Sequence, residues 1–193
     1  MSTDVVWIFL SAMLVNNFTL FYFLGLCPFL GVSGRVATAV RMGLADIFVL
    51  VITSVVTWVL NVFVLPHAPY LELISFIVVI ASVVQIVEMV IRKFSPALFR
   101  ELGQFLPLIT TNCAILYLAI FQTNRGYGFI EGVFFALGAG AGLTLALVLM
   151  AAIREQTDLS DIPEVARGAA VVFLIAGFLS LAFMGFSGLL SAA

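Results

Sequence analysis

Two cysteines, Cys27 and Cys113, are the residues of this chain best suited to redox or metal chemistry. Cys27 lies in Leu24-Gly25-Leu26-Cys27-Pro28-Phe29-Leu30-Gly31, and Cys113 closes Pro107-Leu108-Ile109-Thr110-Thr111-Asn112-Cys113. Each patch sets a soft sulfur ligand among helix-breaking or small polar residues inside an apolar stretch. Pro28 and Pro107 lack a backbone donor, and Gly25 and Gly31 permit unusual backbone angles, so interrupted helices are expected at both places. Irregular backbone at membrane depth is tolerated only where protein or a cavity surrounds it. Two thiolates so placed read first as half of a four-thiolate iron–sulfur site. Its negative charge would be met by freed backbone N–H groups and by Thr110, Thr111 and Asn112. Taken singly, either cysteine is more simply a buried space-filler, and a disulfide between the two is a third reading.

The chain has no other cysteine, and its one histidine, His67, falls between Pro66 and Pro69, where a solvated loop residue is expected. The remaining ligands of any such cluster must therefore come from a second membrane subunit, which puts the site at a subunit interface.

The elements that position these residues are membrane spans. The 193-residue chain is 64% hydrophobic and 9% charged, with a mean hydropathy of +1.27, against about 25% charged residues in soluble domains. Nothing basic enough to hold nucleic acid is present, and the start of the chain lacks the positive region of a cleaved signal peptide. Uncharged apolar runs of about 20 residues, the length that crosses a bilayer, predict six spans near 5–26, 39–65, 71–91, 104–122, 129–152 and 168–190. Loops are short, so any nucleotide or flavin chemistry must be done by other subunits. Arg35, Arg41, Arg92, Lys93, Arg100, Arg154 and Arg167 fall on one side and only Arg125 on the other. The positive-inside rule then places both termini outside the cytoplasm, in the periplasm of a bacterial inner membrane protein.

With a cysteine in the first and the fourth span, the chain divides into two three-span halves, about 1–97 and 98–193, within one membrane domain. Halves with an odd number of spans are inverted relative to each other, and such repeats place sites near the bilayer midplane. The expected fold is all-α: six transmembrane helices in two inverted repeats, with the first and fourth helices broken.

Other polar residues have plainer readings. Asp46, near Arg41, and Glu88, one turn from Arg92, are expected to pair at the cytoplasmic interface, and Glu131 to face solvent. Gly138 and Gly142 form a pattern that lets helices approach closely. Glu155, Asp158, Asp161 and Glu164 line a cytoplasmic loop. Asn16 and Asn17 either add donors to the first cysteine patch or cap an interrupted helix. Without a cluster, Asn16, Asn17, Thr110, Thr111 and Asn112 would suit the midplane site of a small secondary transporter, or the chain could be a purely structural membrane protein.

Asn16-Asn17, Leu24 to Ser33, Phe105 to Ala114, Val87-Glu88-Met89-Val90-Ile91-Arg92-Lys93 and Ser180-Leu181-Ala182-Phe183-Met184-Gly185-Phe186 together closely resemble the A-type membrane subunits of Rnf electron transport complexes, over essentially the whole chain. Two subunits of sodium-translocating quinone reductases share that ancestry and are the alternative assignment. The resemblance implies a membrane part of a ferredoxin:NAD oxidoreductase that pumps Na+ or protons. It also implies a [2Fe–2S] cluster held between this chain and a homologous inverted subunit, E-type in the same complex. Cys27 and Cys113 would be the ligands here, supported by Gly25, Pro28, Thr111 and Asn112, while the other Rnf subunits carry the ferredoxin and nicotinamide chemistry.

Overall fold

The computed structural model describes residues 2–15, 17–32, 34–63, 70, 72–94, 108–109, 111–158 and 169–190. Its regular elements are helical: α1 (Ser2–Leu10), a π-helical turn (Ser11–Val15), α2 (Phe18–Phe21), α3 (Leu26–Val32), α4 (Val36–Phe63), α5 (Glu72–Phe94), α6 (Cys113–Arg125), α7 (Phe129–Asp158) and α8 (Ala169–Leu190).

Three helices are continuous at crossing length: Val36–Phe63, Glu72–Val90 and Phe129–Thr157, with mean hydropathies of 2.2, 2.5 and 2.2. At 1.5 Å per residue, the 28 residues of α4 extend about 42 Å, more than the hydrocarbon thickness. These are the second, third and fifth expected spans. The sixth corresponds to α8, whose apolar stretch Ala170–Gly185 is shorter. The first expected span is not one helix but α1, the π-turn and α2, with the chain turning at residues 22–25 before α3. In the fourth, Leu108 and Ile109 are helical, a turn follows at Thr111, and α6 begins at Cys113; Pro107 and Thr110 lie outside the described residues, as do Asn16 and His67.

The organising element is α7, which packs against α1, the π-turn, α2, α3, α4, α6 and α8. Its small residues make this possible. A Cβ on Gly138 would strike the Phe9 carbonyl, one on Gly140 the Ile47 side chain, and one on Gly142 would lie 2.7 Å from the Met13 carbonyl oxygen. Gly43 of α4 answers from the other side, where a Cβ would collide with Thr144. The expected close packing at Gly138 and Gly142 is therefore present, with α1 and the π-turn as its partner. One core cluster gathers Phe18, Met42, Leu50, Leu118 and Phe135; a second gathers Leu20, Phe29, Ala39, Leu147 and Met150. Large apolar side chains such as Phe63, Phe178 and Leu181 point outward, as they do when lipid, not water, is the outer solvent.

A tight connection joins α6 to α7. Gly126 closes α6 in the left-handed region, at φ 65°, and donates its N–H to Gln122 and Thr123 carbonyls, the usual glycine stop. Glu131 then accepts from the Gly128 N–H at 3.1 Å. It is thus fastened to the start of its own helix, where a partner in free solvent was expected.

Candidate functional site

The short helices are held in place by polar side chains from their neighbours. Asn17 accepts from the N–H groups of Thr19 and Leu20, capping α2. Its amide also donates to the Gly142 carbonyl at 2.9 Å. Ser180 of α8 donates to the Leu20 carbonyl at 2.7 Å, and Arg154 of α7 to the Leu30 carbonyl at 3.4 Å. Backbone groups orphaned at helix ends must find partners in a membrane, and here they do. Of the two readings of Asn17, the cap is the one observed.

Between α2 and α3 the backbone passes through left-handed conformations at Phe23 (φ 54°) and Gly25 (φ 78°). For phenylalanine that region is strained, the kind of outlier found at built sites. The Gly25 carbonyl accepts from Phe29 N–H at 3.2 Å, opening α3. Pro28 accordingly occupies the first turn, where a missing N–H leaves no bond unmade. This corrects the sequence expectation: the interruption is made by Phe23 and Gly25, and Pro28 fits the helix that follows.

Cys27 is the second residue of α3 and Cys113 the first residue of α6. Asn112 caps α6, its Oδ1 accepting from Ala114 N–H at 3.0 Å, while its amide nitrogen, the donor expected near the thiol, makes no hydrogen bond within the chain. The two helix starts abut. A Cβ on Gly25 would lie 3.2 Å from Asn112 Oδ1 and 3.8 Å from Ala114 Cβ. The residue two before Cys27 thus meets the residues on either side of Cys113. Both thiols are free and exposed, so neither inert core packing nor a disulfide describes them. Thr111 is exposed too, while Gly25, Pro28 and Asn112 are buried.

A cavity of about 400 Å³ opens beside Cys113, walled by Ile77, Ile80, Ala81, Thr111, Asn112 and Leu116. It lies between α5 and α6 on a thinly covered side, since only 17% of the apolar window of α5 is buried, against 39% for α4 and 56% for α7. Among the described residues no group of three or more His, Cys, Asp or Glu side chains gathers. The two exposed thiols are soft donors able to ligate iron or another thiophilic metal.

Two buried polar side chains, Ser54 and Gln122, went unseen in the sequence. Ser54 Oγ donates to Gln122 Oε1 at 2.8 Å, and Gln122 Nε2 returns a bond to the Ser54 carbonyl at 3.3 Å, clasping α4 to α6. Gly132 of α7 leaves the room this needs, because a Cβ there would collide with the Gln122 amide. The only sequence signal was uncharged polar residues inside apolar spans. Asp46, in contrast, was noticed but misplaced. It is fully buried, neither carboxyl oxygen has a hydrogen-bond partner, and it does not make the interfacial pair with Arg41. Glu88 is half-buried on α5.

The Rnf-Nqr family model, whose description reads "Rnf-Nqr subunit, membrane protein", matches residues 5–190. The chain belongs to the Rnf-Nqr family. Within that family it is 53% identical over 188 residues to the A-type subunit of the ion-translocating oxidoreductase complex of Syntrophotalea carbinolica, covering 96% of this chain and 97% of the relative. The proteins of the same name from Serratia proteamaculans and Photorhabdus laumondii are 51% and 50% identical over 189 residues, covering 97% of this chain and 98% of each relative. The resemblance drawn from the cysteine patches is thus a family membership that spans nearly the whole chain.

Proposed function

We propose that this chain is the A-type membrane subunit of an Rnf-type ion-translocating oxidoreductase complex, and that Cys27 and Cys113 supply two thiolates to a [2Fe–2S] cluster completed by a homologous inverted subunit. The complex would oxidise ferredoxin and reduce NAD through its other subunits, and would move Na+ or protons across the bacterial inner membrane. The chain would cross that membrane six times, in two inverted halves, with both termini periplasmic. One observation carries the cluster reading: the starts of α3 and α6 abut at Gly25 and Asn112, and each presents an exposed thiol in its first turn. When bound, the cluster would supply one-electron transfer inside the membrane.

The residues of this chain would do the following. Cys27 and Cys113 hold iron. Gly25 lets the two helix starts come together, Asn112 fixes the start of α6, and Pro28 stiffens that of α3. The uncovered face of α5 and the cavity beside Cys113 suit the approach of the partner that brings the other thiolates. The test is electron paramagnetic resonance on the purified complex. Cys27→Ser and Cys113→Ser should each abolish a cluster signal in fully assembled complex, and a spectrum unchanged in both variants refutes the assignment.

A further inference from the structure

Asp46 stands at the head of a line of buried oxygen atoms that lack partners. It is the eleventh residue of α4, which puts it about 15 Å along the helix. Asp46, Leu50, Thr53 and Thr57 are all buried, and their spacing of four, three and four places them on one helix face. Both Asp46 oxygens and the Thr53 and Thr57 hydroxyls have no hydrogen-bond partner. Asn112 lies beside the Asp46 carboxyl, yet its amide nitrogen is also unbonded.

The two threonines depart from the habit of this chain. A hydroxyl on an apolar helix normally satisfies itself on the carbonyl four residues back. Ser82, Thr123, Thr144 and Thr157 all do so, at 2.6 to 2.9 Å. Ser54, adjacent to Thr53, is committed to Gln122. Thr53 and Thr57 alone on this face keep their oxygen lone pairs uncommitted. An unpaired carboxylate costs several kcal/mol inside a membrane protein, and no basic group among the described residues bonds to this one. Small hard cations take oxygen ligands, carboxylates foremost, and Asp46 offers two uncommitted ones, with the Thr53 hydroxyl about 10 Å further along the helix.

We propose that Asp46 is an intramembrane binding station for a small monovalent cation, Na+ or a proton, with the Thr53 and Thr57 oxygens marking the route onward along α4. This rests on the reading of the chain as part of an ion pump and assigns a residue to its cargo. The site lies one side chain away from the start of α6, with Asn112 between Asp46 and the Cys113 backbone. Cation occupancy is thereby placed next to the proposed redox centre.

The experiment uses the whole complex in proteoliposomes, with ion uptake and the cluster signal read on the same preparation. Asp46→Asn should lower ion transport at least tenfold while assembly and the cluster signal persist; undiminished transport overturns the proposal. Absence of a cluster signal in unsubstituted complex would sink the cluster reading instead, and leaves this comparison intact. If the variant fails to assemble, labelling of unsubstituted complex by a hydrophobic carbodiimide decides. Modification at Asp46 slowed at least threefold by NaCl relative to KCl identifies Na+, and modification that falls with rising pH equally in both salts identifies a proton. No modification at Asp46, or modification indifferent to salt and pH, overturns the proposal.

Discussion

Gly25 and Asn112 share a contact that is tight for a methyl group, since a Cβ on the glycine would come within 3.2 Å of the asparagine Oδ1, which would have to give by a few tenths of an ångström. That oxygen is already occupied in capping α6 through Ala114 N–H. The same glycine holds φ at 78°, which an L side chain resists. Gly25→Ala therefore combines backbone strain with pressure on a helix cap, each worth about 1 kcal/mol or more. We expect it to assemble poorly or, where assembled, to hold less than half the normal cluster content, measured as spins per complex.

Asn17 unites two jobs in one side chain, the cap of α2 and the bond to the Gly142 carbonyl. Asn17→Ala should destabilise the chain by about 1–3 kcal/mol, through loss of the cap and an unmet carbonyl. Thermal inactivation of the solubilised complex reads this directly, and no change in midpoint would contradict the role.

For the Ser54–Gln122 clasp, a double-mutant cycle with Ser54→Ala and Gln122→Ala should give a coupling of about 0.6–1.7 kcal/mol, the range found for polar pairs between membrane helices. Additive effects would mean that the two side chains do not cooperate.

Cluster removal should change thiol chemistry. Both cysteines are free and exposed in the chain, so oxidative destruction of the cluster followed by reduction should raise maleimide labelling from near zero to two per chain, at Cys27 and Cys113. Labelling already complete before treatment would show that neither sulfur is coordinated.

The apolar runs located the long helices well. Expected spans 39–65, 71–91 and 129–152 correspond to Val36–Phe63, Glu72–Phe94 and Phe129–Asp158, because an uncharged run of that length has no other stable home than a helix in lipid. The cysteine patches likewise marked both interruptions. What composition could not supply was which residue makes the break: Phe23, at φ 54°, has a side chain that gives no hint of a left-handed backbone. Nor could it separate interior from lipid-facing polar positions. Asp46 near Arg41 looked like an interfacial pair, and only the packing of α6 and α7 around α4 shows it sealed away from solvent. Ser54 and Gln122 were invisible for the same reason, since their partnership spans 68 positions.

The glycines of α7 have a mechanical consequence. Gly138, Gly140 and Gly142 face three different neighbours, the Phe9 carbonyl, Ile47 and the Met13 carbonyl, each at a range that admits only hydrogen. A rod notched to fit on several sides can neither roll nor slide without its shoulders jamming. The short pieces beside it, α2 and α3, are held by side chains of the long helices, Ser180 donating to the Leu20 carbonyl and Arg154 to the Leu30 carbonyl. α7 is the keel of this protein, and the short helix that carries Cys27 is a more lightly joined piece beside it than α4.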